Sequence, residues 1–461
     1  MTSMLVSGGR VVDPASGLDA IADVLVVEGK VAAVGPDLRA QCPPDAEILD
    51  ARGLVVAPGL IDIHVHFREP GQTKKEDVQS GSRCAVRGGF STVVCMPNTS
   101  PAIDNAGTVA LIQDSAVKAQ CRVEITGALT KGIAGEELAP IGSLHKAGVI
   151  ALTDDGHCIQ NNDLMRRACE YARMFDLPIM DHCQDYGLVT KGVMHEGKYS
   201  TILGLAGWPA AGEEVIVARN ILLAEQTGTV IHCQHLSSAG SIRLLREARG
   251  RGVPISGEAC PHHFTLTDAC IAGGEEFWRE DGSGQAARFF KETPLPEWPN
   301  YHTDFKMNPP LRSARDREAI LEGLVDGTLT IISSDHAPHS QSEKDVEFDY
   351  APFGIVGLET ELALSLMALV HTGRLSLIGT LAKLTSEPAK LLRFKDGRGE
   401  IRVGGVADLT VFDPNEEWTS SRDETASKSS NNPFHGWRLR GRVLHTIVGG
   451  RRVWSLRSAE G

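Results

Sequence analysis

No two of the ten cysteines in this chain, at positions 42, 84, 95, 121, 158, 169, 183, 233, 260 and 270, are spaced Cys-x-x-Cys. Scattered cysteines in a large acidic chain read as reduced, mostly buried thiols, not as a disulfide framework or a zinc knuckle. No run of 18 or more apolar residues occurs, so no membrane span is expected. The opening MTSMLVSGGRVVD lacks the basic, then apolar, then small-residue order of a secretory signal, and the expected location is the cytoplasm. Basic side chains are in the minority, 46 against 59 acidic, for a net charge of −13. A nucleic-acid or anionic-membrane binder wants a basic face, so neither partner is expected. An anionic small-molecule substrate stays open, because a few local Arg and His residues suffice to bind one. With 461 residues, 42% of them hydrophobic, the chain can bury a sizeable core without a disulfide or a metal to fold it.

Both ends are β-like. MLVSGGRVVD, ADVLVVEGKVAAVG and EILDARGLVVAPG open the chain, and GEIRVGGVADLTVFD and RVLHTIVGGRRVW close it. The phrases LVSGGRVV (5–12) and TIVGGRRVW (446–454) nearly repeat each other. The simplest account is one small β-sandwich built from residues 1–57 and 401–461. Residues 58–400 alternate differently, with apolar runs followed by polar or Gly-rich loops and helical patterns. The runs are 60–67, 91–97, 122–129, 148–154, 178–183, 229–236, 253–260 and 329–336, with helices such as 162–175 and 239–252 between them. Eight continuous apolar strands separated by helices predict parallel strands buried on both faces. The expected fold is α/β, a closed (β/α)8 barrel of the TIM type. The competing open doubly wound sheet is disfavoured because no Gly-x-Gly-x-x-Gly opens a helix after the first strand. Residues 272–304, rich in Phe and Trp and punctuated by Pro and Gly, break the rhythm as a long inserted loop.

The histidines are unevenly placed. His64 and His66 end the first barrel strand, His182 the fifth and His235 the sixth, while Asp335 ends the eighth. The C-terminal strand ends of a barrel share one mouth, so these residues can converge. His-x-His on a strand puts both imidazoles on one side. Imidazoles with carboxylates suit a divalent cation, most often zinc. The fourth strand ends in LTDDG, offering Asp154 or Asp155 as a bridging carboxylate, and strand alternation does not choose between them. His262 and His263 in CPHH read as structural, and Cys183 and Cys233 are not taken as ligands.

DIHVHFREPGQTKKED (62–77) followed by VVCMPNTSP (93–101) resembles the class I dihydroorotases of the amidohydrolase superfamily. The likeness continues through LTDDG, IMDHCQD, CQHLSS, EACPHHFTL, MNPPLR, SSDHAPH, GIVGLETEL and SKSSNNPFHGWRLRG, nearly the whole chain. The resemblance implies that His64 and His66 hold one metal, that Asp155 bridges, and that His182 and His235 hold the second. It makes His232 a strand residue with a packing role and Asp335 the metal-proximal acid/base. It places Arg68, Asn98 and His339 on the substrate carboxylate, and Asn308, Phe353 and Gly354 on the ring amides. The implied reaction is reversible, metal-dependent cyclisation of N-carbamoyl-L-aspartate to L-dihydroorotate in pyrimidine synthesis, with Zn²⁺ at one or two per subunit lowering the pKa of an attacking water to about 7. A homo-oligomer is implied, with association with aspartate transcarbamoylase left open. An allantoinase or hydantoinase would share the metal chemistry but differ at Arg68, Asn98 and His339. A silent homologue scaffolding the transcarbamoylase would lack metal ligands, and here all are present. The segment 272–304 is longer than expected for this connection, and it falls just before Asn308.

Overall fold

The computed structural model describes residues 3–273 and 298–456. Residues 274–297, most of the long inserted loop, lie outside the described residues.

Five strands open the chain: β1 (Met4–Asp13), β2 (Leu18–Val27), β3 (Lys30–Gly35), β4 (Glu47–Asp50) and β5 (Val55–Pro58). The barrel strands follow as β6 (Leu60–Val65), β7 (Phe90–Cys95), β8 (Arg122–Gly127), β9 (Ala151–Leu152) and β10 (Ile179–Asp181). A two-stranded excursion, β11 (Met194–His195) with β12 (Gly207–Trp208), precedes β13 (Ile231–Cys233), β14 (Ile255–Ala259) and β15 (Ile331–Ile332). The chain ends with β16 (Leu409–Thr419), β17 (Arg438–Val448) and β18 (Arg451–Ser455).

Eight strands, β6 to β10 and β13 to β15, form one sheet in sequence order, paired in parallel throughout. The sheet returns on itself through a parallel bridge between Val65 and His336, where the His66 N–H donates to the His336 carbonyl at 2.9 Å. Every residue of β6 and β7 is buried, as strands covered on both faces require. The expected (β/α)8 barrel is the observed one, and each of the eight apolar runs supplies its strand. The regular ladder is shorter than the apolar runs, however. It stops at Asp181, Cys233 and Ile332, so His182, His235 and Asp335 stand just past the strand ends. His235 and Asp335 also take left-handed backbone, with φ of 32° and 46°, which no strand accommodates.

Capping residues set the helix starts. Asn161 accepts from two backbone N–H groups of helix 162–173, and Ser238 from the Ser241 N–H of helix 239–250. Both end two residues before the periodicity suggests. After the first, Asp176 turns left-handed at φ 58°, and after the second Gly252 does so at φ 79°.

The two chain ends build one sheet in the order β18-β17-β16-β5-β1-β2-β3, with β4 beside β1. β5 is the seam, parallel to β1 and antiparallel to β16. The expected sandwich takes the form of a single curled sheet. Its edge strand reaches the segment before β16 through Val31 N–H to Gly405 O, 3.0 Å, and Ala407 N–H to Gly29 O, 2.9 Å. Met4, Val24, Val56, Leu409 and Ile447, from both ends, share the enclosed core. This sheet is fused to the barrel: Phe412 of β16 and Val443 of β17 belong to the same core as Leu60 and Phe90, and Gly59 N–H donates to Asp408 O at 2.8 Å.

Phe412→Ala removes a fully buried ring from that shared core. It is expected to cost about 3–5 kcal/mol of stability, read from the denaturant midpoint. A loss of under about 1 kcal/mol contradicts the fused arrangement.

Candidate metal centre

The C-terminal ends of the barrel strands open into a cavity of about 340 Å³, within the range of small-ligand sites. His66, Asp155, His182, His235 and Asp335 line it, with Arg68, Asn98, Asn308, His339, Phe353 and Gly354. His64 lies beneath them, fully buried. Every residue singled out from the sequence for metal or substrate is therefore at one mouth.

Asp155 is the hub. Its Oδ1 lies 3.3 Å from His64 Nε2, 3.6 Å from His182 Nδ1 and 3.7 Å from His235 Nε2, and its Oδ2 lies 3.4 Å from His66 Nε2. Asp335 Oδ1 faces His66 Nε2 at 3.0 Å and His64 Nε2 at 3.5 Å. The donor atoms fall into two triads, His64–His66–Asp155 and Asp155–His182–His235, each with its atoms within 4.8 Å of one another. Asp154 points elsewhere. Its carboxylate accepts the Leu129 N–H at 2.8 Å, the Thr130 N–H at 3.0 Å and the Thr130 hydroxyl, pinning the loop after β8.

The orientation of the imidazoles follows from what touches their far sides. His64 Nδ1 meets Glu258 Oε1 at 2.7 Å, His66 Nδ1 meets Asn98 Oδ1 at 2.9 Å, and His182 Nε2 meets Gln184 Oε1 at 2.8 Å. Each partner atom only accepts, so each of those ring nitrogens carries the proton, and the opposite lone pair faces the centre. His64 Nε2 is buried with no hydrogen-bond partner, an expensive state for a polar atom unless something binds there. His182 Nδ1 and His235 Nε2 converge to 2.8 Å. These orphaned and convergent ring nitrogens, beside two carboxylates, fit divalent cations.

The electrostatics agree. Burial pushes the Asp155 and Asp335 carboxyls up, but His64 and the other imidazoles outweigh it and hold both well below the ordinary carboxylate range. Burial also disfavours charge on His64, yet Asp155 and Asp335 drive its pKa well above the usual value. The two carboxylates thus favour positive charge at the inward His64 Nε2, and a cation bound there takes the place of a proton.

Around the centre, Arg68 donates its Nε–H to Pro338 O at 3.2 Å, and its Nη2 lies 3.3 Å from His339 Nε2. Burial lowers the Arg68 pKa to about 10, leaving it cationic. His339, kept neutral by burial and by Arg68, has its Nε2 on the Phe353 carbonyl at 2.9 Å. The Asn98 amide is shared between His66 and Asp155. Asn308 donates to Gln184 Oε1 at 3.1 Å, and its own Oδ1 is unpartnered. His232 bridges Ser256 and Glu258 within the barrel. His263 Nε2 meets Pro309 O at 3.0 Å, next to Asn308, and forms a further buried donor group with Cys260 and His262. Cys183 Sγ faces Asp181 O at 3.4 Å, away from the hub.

Glu258 and Gln184 are the residues of this cluster that the sequence reading misses. Glu258 holds His64, His232, the Ser333 hydroxyl and the His235 N–H. The available signal was an ionisable residue inside an otherwise apolar parallel strand. Gln184 carried none.

A family described as dihydro-orotase-like matches residues 53–241, and an amidohydrolase family matches 369–454. A dihydroorotase of Pelotomaculum thermopropionicum is 46% identical over 450 residues, covering 98% of each chain. One of Anaeromyxobacter dehalogenans is 48% identical over 451 residues, covering 98% of this chain and 97% of its own. Among solved structures, an L-hydantoinase from Arthrobacter aurescens superposes with a TM-score of 0.83 at 23% identity, covering 99% of this chain and 97% of its own. A dihydropyrimidinase from Brevibacillus agri does so with 0.80 at 22%, covering 98% and 95%. At those identities the structural likeness speaks for the fold alone.

Glu258→Gln is expected to weaken metal affinity about 10–100-fold, measured by competition with a chelator. Because His64 must lose its proton, affinity of the parent protein is expected to fall as pH drops from about 8 to about 6. Affinity independent of pH, or untouched by Glu258→Gln, contradicts this reading of the cluster.

Proposed function

Because the chain belongs to the dihydroorotase family, we propose that it interconverts L-dihydroorotate and N-carbamoyl-L-aspartate at the centre formed around Asp155. The observation that carries this reading is the pair of donor triads sharing Asp155 at the floor of a cavity lined by Arg68. Zinc is the proposed ion, because four imidazoles with two carboxylates suit a borderline cation. If two ions bind, His64, His66 and Asp155 would hold one and Asp155, His182 and His235 the other. A bound divalent cation supplies Lewis-acid polarisation of the ring carbonyl and a water acidified to a pKa near 7.

The chain's own residues do the rest. Ring opening adds the oxygen of water to the carbonyl carbon, breaks the bond from that carbon to the ring nitrogen, and puts a proton on the nitrogen. Asp335, held ionised, takes the proton from the attacking water and returns it to the departing nitrogen, since an acid/base must lie within hydrogen-bond reach of the reacting atoms. Ring closure runs the same steps backwards. The left-handed backbone of Asp335 is the kind of strained conformation that persists where a site demands it. Arg68, buried and cationic, is the proposed partner of the substrate carboxylate, a pairing suited to a planar guanidinium. Asn98 keeps His66 and Asp155 in register and flanks the carboxylate. His339 holds the Phe353 carbonyl beside Arg68. The open Asn308 Oδ1 and the backbone of Phe353 and Gly354 face the ring amides. The same reading carries a homo-oligomer and an aspartate transcarbamoylase partner as proposals, each tested by sedimentation of the metal-loaded protein alone and with that enzyme. No helix among the described residues is long and apolar enough to cross a membrane.

The test is turnover of dihydroorotate, allantoin and hydantoin in parallel, on protein of measured metal content. Dihydroorotate alone is expected to be opened, and Asp335→Ala is expected to lower the rate about 10²–10⁴-fold. Full metal content with turnover of hydantoin or allantoin, and none of dihydroorotate, overturns the proposal.

A further inference from the structure

The segment 348–354, which brings Phe353 and Gly354 to the cavity, has no ladder of its own. Its carbonyls are instead taken up by side chains from elsewhere. Lys306 Nζ donates to Phe348 O at 2.7 Å and Asp349 O at 3.0 Å. Lys344 Nζ donates to Pro352 O at 3.0 Å and Gly354 O at 3.0 Å, and approaches Lys306 O at 3.5 Å. His339 takes the Phe353 carbonyl, and the Asn431 amide also donates to Gly354 O at 3.0 Å. Both lysines are buried, 2% and 3% exposed. Neither makes a close ion pair with a carboxylate among the described residues, so their charge is spent on backbone oxygen.

The two lysines also tie this strap to the Asn308 segment. Gly354 N–H donates to the Lys306 carbonyl at 3.0 Å, and the Lys306 ammonium stands 4.7 Å from the centre of the Phe353 ring. Lys306 is two residues from Asn308. The two segments proposed to face the substrate ring are therefore one mechanical unit, pinned by two ammonium groups. A neutral side chain of similar length at Lys306 takes the ammonium donor from Phe348 O and Asp349 O, and one at Lys344 takes it from Pro352 O and leaves Gly354 O to Asn431, so the strap is held less firmly against the cavity.

We propose that Lys306 and Lys344 are positioning residues that set affinity for the substrate ring, by holding the Phe353–Gly354 backbone and Asn308 in a single binding face. Neither touches the metal ligands, so they act on binding and not on the acid/base step. The proposal rests on the functional reading above, in which that face meets the ring.

The experiment takes the full-length, metal-loaded protein with Lys344→Met and, as an independent variant, Lys306→Met. Steady-state kinetics are paired with hydrogen exchange of the backbone amides. KM for dihydroorotate is expected to rise about 10-fold or more, with kcat within about threefold and metal content unchanged. Amides of 348–356 are expected to exchange faster, with those of β6 and β7 unchanged. Lys344→Arg, which retains the cation, is expected to recover part of the loss in KM. An unchanged KM in both variants, a loss confined to kcat, or unaltered exchange in the strap overturns the proposal. Exchange is independent of substrate identity. Failure of the functional reading shows as a parent protein that does not turn over dihydroorotate, whereas failure of this proposal leaves the parent active and the variants' KM unmoved.

Discussion

Everything at the mouth of this barrel depends on how the outer ring nitrogens are capped. A neutral imidazole has one proton and one lone pair, and an acceptor on one nitrogen decides which way the lone pair points. Glu258, Asn98 and Gln184 occupy the far sides of His64, His66 and His182. The lone pairs are thereby turned inward, onto Asp155 and Asp335. Without those caps the same histidines would be free to reverse, and a cluster of buried polar groups would be a liability instead of a site.

The scaffold makes this capping possible because it is rigid and closed. His64 comes from the first strand and Glu258 from the seventh, and they meet only because the sheet returns on itself at Val65 and His336. Asp62 and Ser334 reinforce the same closure, with the Ser334 hydroxyl donating to the Asp62 carboxylate. The curled sheet made from the chain ends braces the barrel from outside through Asp408, Thr410 and Phe412. Beyond the metal centre the design changes. The cavity wall at 352–354 is irregular backbone, and its segment is held by long cationic side chains and not by a ladder. Rigid strands thus fix the donors, while a pinned strap forms part of the cavity wall.

Much of this was legible in the sequence. The eight apolar runs mark the eight barrel strands, since parallel strands buried on both faces leave an uninterrupted apolar stretch. His-x-His and the isolated His and Asp at later strand ends mark the mouth, because the barrel topology gathers strand ends that are far apart in the chain. What could not be read is contact across the barrel. Alternation left Asp154 and Asp155 equivalent, and only the turn of Asp154 toward Leu129 and Thr130 separates them. The strand ends were read too far, because His235 and Asp335 look like continuing strand until their backbone is seen to turn left-handed. Glu258 and Gln184 escaped because a cap is defined by its partner. Lys306 and Lys344 look like ordinary surface lysines until their burial is known.

The most direct measurement of the central claim is anomalous scattering from crystals of the holoprotein, collected on either side of the zinc absorption edge. The account predicts two peaks flanking the Asp155 carboxylate, one beside His64 and His66 and one beside His182 and His235. No peak at Asp155 in protein that turns over dihydroorotate, or a metal bound only elsewhere in the chain, contradicts it.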